Sequence, residues 1–121
     1  MSEFKRHNFK KLKIWQMGID LSKVVLDITD TFPVSEKYGL KSQMDRCCIS
    51  MPSNIAEGSS RTDKSFSHFL DISLGSSFEL QAQIILANHR KYITIEQTNN
   101  IENKIEEFQK ATMSFQNTLN K

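Results

Sequence analysis

The sequence predicts an all-α fold, an antiparallel up-down-up-down four-helix bundle. Apolar residues recur every three or four positions along most of the chain, the spacing that lines one face of a helix. Only four glycines and two prolines occur in 121 residues, too few to punctuate a sheet of short strands. Short polar turns divide the pattern into four segments, and helices joined so briefly must run antiparallel to their neighbours. No internal repeat, low-complexity stretch or linker divides the chain, so residues 1–121 read as one domain, with 1–10 as a basic N-terminal arm.

The first helix is predicted from about Lys10 to Thr31. Ile14, Met17, Leu21, Val24 and Ile28 step by three and four, with Val25 beside them. Phe32-Pro33 ends it, because the residue before a proline is pushed out of the α region. The second helix is expected from Glu36 or Tyr38 to Glu57, on the stripe Leu40, Met44, Cys47 or Cys48, Met51 and Ile55, with Gly39 weakening its first turn. Pro52 falls inside that stripe and deprives the Cys48 carbonyl of its helical donor. The stripe nevertheless continues in register, which predicts a helix kinked at Pro52, its freed groups met by Ser50, Ser53 or Asn54. Gly58 would then close the helix in the left-handed conformation.

The third helix is predicted from Asp63 to Lys91, opened by Thr62 as N-cap. Phe66, Phe69, Leu70, Ser73, Ser77, Leu80, Ile84 and Ala87 form one seam, and Leu74, Phe78 and Ile85 a second. A helix in a small bundle needs only one apolar face, so the second implies a partner, within the bundle or from another chain. Gly75, Ser76 and Ser77 make a small-residue patch that lets another helix approach closely. The fourth helix, about Glu96 to Asn120, carries the clearest stripe: Ile101, Ile105, Phe108, Thr112, Phe115 and Leu119.

The net charge of +2 is unevenly placed. Lys5, Arg6, Lys10, Lys11 and Lys13 stand against Glu3 alone, so the first 13 residues carry +4 and the rest −2. Phe4, Phe9 and Trp15 interleave with these cations. Lysine and arginine neutralise phosphates while aromatic rings stack on exposed bases, so the arm is a candidate nucleic-acid-binding element. The plainer reading is that Phe9, Ile14 and Trp15 cover the end of the core and the lysines solubilise it.

No apolar run approaches the ~20 residues that span a bilayer, and no signal-peptide pattern opens the chain, so a cytoplasmic protein without membrane contact is expected. Adjacent Cys47 and Cys48 suit neither a structural disulfide nor a zinc site and read as small core residues. His7, His68 and His89 are scattered, and no Gly-rich phosphate loop, nucleophile elbow or H-E-x-x-H occurs. No catalytic residue, metal or cofactor is therefore expected. Arg61 and His68 fit only the loose R-x(4–6)-H spacing of HEPN ribonucleases, a weak signal for an RNA-cleaving alternative.

Several anchors together resemble the four-helix-bundle family encoded by intervening sequences within 23S rRNA genes. They are Phe32-Pro33, Glu36, Tyr38-Gly39-Leu40, Gln43, Arg46, the string Ser50-Met51-Pro52-Ser53-Asn54-Ile55-Ala56-Glu57-Gly58, Phe69-Leu70, and Gly75-Ser76-Ser77-Phe78-Glu79-Leu80. The resemblance implies a four-helix bundle that forms ring-shaped homopentamers. A related branch serves reverse transcriptases of diversity-generating retroelements, where a basic surface of the ring binds nucleic acid. By that resemblance the partners expected are further copies of the chain, RNA or DNA, and a reverse transcriptase. Five +4 arms would place about +20 on one ring face. Arg46, Pro52, Asn54, Glu57, Gly58, Gly75 and Glu79 are assigned to structure and assembly. Arg46, Glu57 and Glu79 are expected to form a buried or interfacial polar network, or else to be solvated face residues. The function expected is a non-enzymatic homo-oligomer binding nucleic acid through its basic face; the alternative is a protein-interaction scaffold without nucleic acid.

Overall fold

The computed structural model describes residues 7–120. Among them four α-helices follow one another without a strand: α1 (Lys13–Thr29), α2 (Leu40–Ser59), α3 (Asp63–His89) and α4 (Ile95–Leu119). α1 and α3 each pack on both α2 and α4, which makes a four-cornered bundle around one core. Val25, Met44, Ile55, Phe66, Leu80, Ile101 and Phe108 are wholly buried at its centre. Cys47 and Cys48 belong to the same cluster as free thiols. Burial pushes both thiols up, Cys48 to about 12, so neither is a nucleophile near neutral pH.

The helix ends depart from the periodic pattern for local reasons. Phe9–Lys11 is a separate 3-10 turn, begun by the Asn8 side chain, which accepts from the Lys10 amide at 3.3 Å. Leu12 is extended, so α1 starts only at Lys13. At its far end the bonds tighten, Thr31 N to Ile28 O and Phe32 N to Thr29 O, and lead the chain into Pro33.

α2 begins at Leu40 because Glu36 caps it. The Glu36 Oε1 accepts from the Leu40 amide at 3.0 Å, and its Oε2 accepts from the Tyr92 hydroxyl at 2.6 Å. A Cβ on Gly39 would stand 2.6 Å from the Glu36 Oε1, so the glycine clears room for this cap. Tyr92 lies in the α3–α4 connection, and the contact therefore ties both loops at one end of the bundle together. The hydrogen bonds from Tyr92 and Leu40 hold the Glu36 carboxyl below its ordinary value of 4.5. A lowered folded-state value contributes stability above the unfolded one, lost as pH falls through the folded one. Glu36→Gln should thus be less stable than wild type near pH ~7, and the gap should close as pH falls below the ordinary carboxylate range. Urea midpoints across that range check this; a gap independent of pH would mean the charge is not what the cap uses.

Two glycine and proline expectations are corrected. Gly58 is not a left-handed terminus: α2 continues to Ser59, and no glycine among the described residues has positive φ. It lies inside the helix, facing Phe66 and Phe69 of α3. The left-handed residue is Lys91 at φ 63, which closes α3 with Lys91 N bonded to Asn88 O and Tyr92 N to Ala87 O. α2 runs through Pro52 as predicted, but the Cys48 carbonyl is met from another helix. The Ser22 hydroxyl of α1 lies 2.7 Å from Cys48 O, and also 2.7 Å from Gly18 O. Asn54 serves Ser50 instead, donating to its carbonyl and hydroxyl.

Candidate nucleic-acid interface and assembly face

The arm is held at the end of the bundle where α1 and α3 begin and α2 and α4 finish. The His7 amide donates to Ser59 O at 3.2 Å, and its ring meets Phe66 and Phe115 edge-on at 5.3 and 5.9 Å. Phe9 packs edge-on against Trp15 at 5.2 Å, both half-buried, and the Gln16 side chain donates to Lys10 O. Phe9 and Trp15 are thus used in packing, while Lys10, Lys11 and Lys13 point out, exposed and in no ion pair among the described residues; Phe4 lies outside the described residues. Lys5 and Arg6 lie outside the described residues.

The topology adds cations that the linear reading did not group with the arm. Arg61, in the α2–α3 turn, and Lys64, in the first turn of α3, are exposed at the same end. Arg61 bonds Glu57 at 3.4 Å, whereas Lys64 is in no ion pair among the described residues. α1 starts without a side-chain cap or an acidic residue in its first turn, so the positive pole of the helix is not offset there. A phosphate chain laid across this end would meet lysines from three elements: the 3-10 turn, α1 and α3.

Within the chain, Arg46, Glu57 and Glu79 do not form one network. Glu57 is exposed and bonded to Arg61, eleven residues and ~16 Å of helix from Arg46. Arg46 and Glu79 are exposed too; the buried network is not formed. They share the wall of a polar hollow of about 200 Å³ between α2 and α3, with Tyr38, Gln43, Cys47 and Gln83. Within it the Cys47 Sγ lies 3.8 Å from Glu79 Oε2, a weak contact. Asn54 and Ser50 continue the α2–α3 seam, where the Ser50 and Ser76 hydroxyls meet at 2.9 Å.

The second seam of α3 is covered by its own bundle only in part. Leu74 is buried within the chain, whereas Phe78 and Ile85 stay 51% and 55% exposed, joined by Ile72 and Leu86. Gly75 lies on this outer face with open space where a Cβ would be. Arg61 and His68 both touch the Phe69 ring, at 5.5 and 6.2 Å. Among the described residues no group of three or more His, Cys, Asp or Glu is placed to hold a metal, and no helix is long and apolar enough to cross a membrane.

The family model described as 23S rRNA-intervening sequence protein matches residues 10–114. The chain belongs to this family. None of the curated proteins matches it. Among solved structures it is similar to a protein of unknown function from the S23 ribosomal protein family of Bacteroides thetaiotaomicron VPI-5482. The TM-score is 0.77 at 23% identity, covering 85% of this chain and 97% of the other, a likeness of fold. The span matched by the 23S rRNA-intervening sequence family takes in Lys10, Lys11 and Lys13, Arg46, the α2 string to Gly58, Gly75 and Glu79, while Lys5 and Arg6 precede it.

Proposed function

We propose that this chain is a non-enzymatic, self-associating bundle of the cytoplasm that binds nucleic acid through the basic end bearing the arm. The observation that carries the binding reading is the cluster of exposed Lys10, Lys11, Lys13 and Lys64 at one end of the molecule, in no ion pair among the described residues. Self-association is supported by the outer face of α3, which is apolar where α1 and α4 present charge and amide to solvent. Oligomerisation would repeat the cationic end and multiply phosphate contacts. The ring expected from the family resemblance is a homopentamer, and the same resemblance makes a reverse transcriptase a partner to test.

Titrating labelled single-stranded RNA across salt concentrations tests the reading. Wild type should lose affinity with a log–log slope of about −0.7 per phosphate neutralised. The triple variant Lys10→Ala, Lys11→Ala, Lys13→Ala should flatten that slope while keeping the wild-type mass. An intact oligomer that ignores RNA at low salt would leave the apolar α3 face as the working surface and the scaffold reading in its place.

A further inference from the structure

The polar hollow between α2 and α3 stands apart from the basic end, since Glu79 follows Lys64 by ~22 Å of helix. Its two walls differ in chemistry. On α2, Ser42, Gln43 and Arg46 lie within about one turn, and the Arg46 guanidinium can only donate. On α3, Glu79 and Gln83 stand four residues apart on one face, and each brings an acceptor. The Cys47 thiol between the walls responds to all three. Burial is the main cause that pushes it up; the Gln83 amide favours its ionisation, the Glu79 carboxylate opposes it and the Arg46 guanidinium favours it. Both charges therefore face the same hollow, yet neither Arg46 nor Glu79 is in an ion pair among the described residues.

Gln83 supplies an independent reason to expect a ligand here. It is only 8% exposed, and its buried Oε1 has no hydrogen-bond partner among the described residues. A buried acceptor left unmet destabilises the fold, and a methionine would fill similar space without one. Rotation about the last bond of the side chain, where preferences are broad, turns Oε1 towards a donor seated in the hollow.

We infer that this hollow binds a free α-amino acid as its zwitterion. The ligand carboxylate takes the planar fork of Arg46, and the ammonium donates to the Glu79 carboxylate and to Gln83 Oε1. The ligand side chain leaves past the exposed ring of Tyr38, which also lines the hollow. A simple carboxylate or a simple amine answers one wall and leaves the charge on the other to lose water uncompensated. A neutral nucleobase offers donor and acceptor edges but neither full charge. The volume of about 200 Å³ is below the ~300 Å³ at which pockets for drug-sized ligands begin, and suits a ligand this small.

The test begins with thermal unfolding of the full-length protein in millimolar amounts of each standard L-amino acid and of guanosine. A ligand that binds only the folded chain raises the midpoint by mass action, and at least one amino acid should do so. By isothermal titration calorimetry, the N-acetyl derivative of that amino acid, which lacks the ammonium, should bind about tenfold more weakly, and so should its amide, which lacks the carboxylate. Glu79→Gln should bind the amino acid no better than the N-acetyl derivative, and Arg46→Gln no better than the amide. Both residues are exposed, so each variant is expected to keep its helical circular dichroism. A midpoint that no amino acid moves overturns the proposal, and a rise with guanosine alone overturns the zwitterion in favour of a base. Wild-type affinity for the amino acid in both variants places it elsewhere and overturns the site.

Discussion

Gly58→Ala should destabilise the bundle by about 3 kcal/mol, although glycine to alanine in a helix interior ordinarily stabilises by about 1 kcal/mol. The sign reverses because of what faces the residue. A Cβ there would stand 2.7 Å from Phe66 Cδ1 and 2.8 Å from Phe69 Cβ. Phe66 is wholly buried and packed between His7 and Phe115, so its ring has nowhere to go. Phe69 offers its Cβ, which moves only with the backbone. The added methyl must therefore push α2 and α3 apart along the bundle's most extensive helix–helix contact. Gly75→Ala is the matched control: it is also mid-helix but has nothing within 4 Å, and should stabilise the single chain by about 1 kcal/mol. Urea unfolding of both, made in the Phe78→Glu background to keep assembly out of the measurement, should give opposite signs. Equal signs would mean that the α2–α3 approach at Gly58 yields more readily than its rings allow.

How much of this was readable beforehand follows the range of each interaction. Helical periodicity is local, and α4 was legible nearly residue by residue: Ile101, Ile105, Phe108 and Thr112 are buried, with Phe115 and Leu119 half-buried against the core. The Thr62 cap on α3 was legible too, since its side chain accepts from an amide three residues on. Gly58 was misread because its reason lies on another helix, and a sequence pattern gives no distance between helices. Glu36 and Tyr92 are 56 residues apart, so nothing near Glu36 announced that its carboxylate caps α2 and ties two loops together. Whether the second seam of α3 meets its partner within the bundle stayed open, because a helix wheel cannot say how wide a stripe its own bundle will cover; Leu74 is covered, and Phe78 and Ile85 remain outside. At the candidate interface the lysines of the arm were visible as a run of charge. That Lys64 joins them required knowing which helix ends coincide.

Ser22→Ala should cost about 2 kcal/mol in the natural chain and less than about 1 kcal/mol when Pro52 is replaced by alanine. Pro52 has no amide hydrogen to give to Cys48 O, and a buried carbonyl left unpaired loses its water without compensation. The Ser22 hydroxyl, itself buried, takes the place of that donor from 26 residues away. It can reach because α1 and α2 come close where Gly18 faces Pro52: a Cβ on Gly18 would already touch the proline ring at 3.4 Å. In Pro52→Ala the residue 52 amide can make the ordinary helical bond to Cys48 O, and the serine becomes redundant for it. A double-mutant cycle should therefore yield a coupling of about 1–2 kcal/mol. The second 2.7 Å contact of the same hydroxyl, to Gly18 O, is the competing explanation. A serine needed only for that local bond would cost the same in both backgrounds, and the proline would then owe its place to packing against α1 alone. A large coupling would instead mean that proline and serine act as one unit, so that α2 depends on α1 for a hydrogen bond its own sequence cannot make.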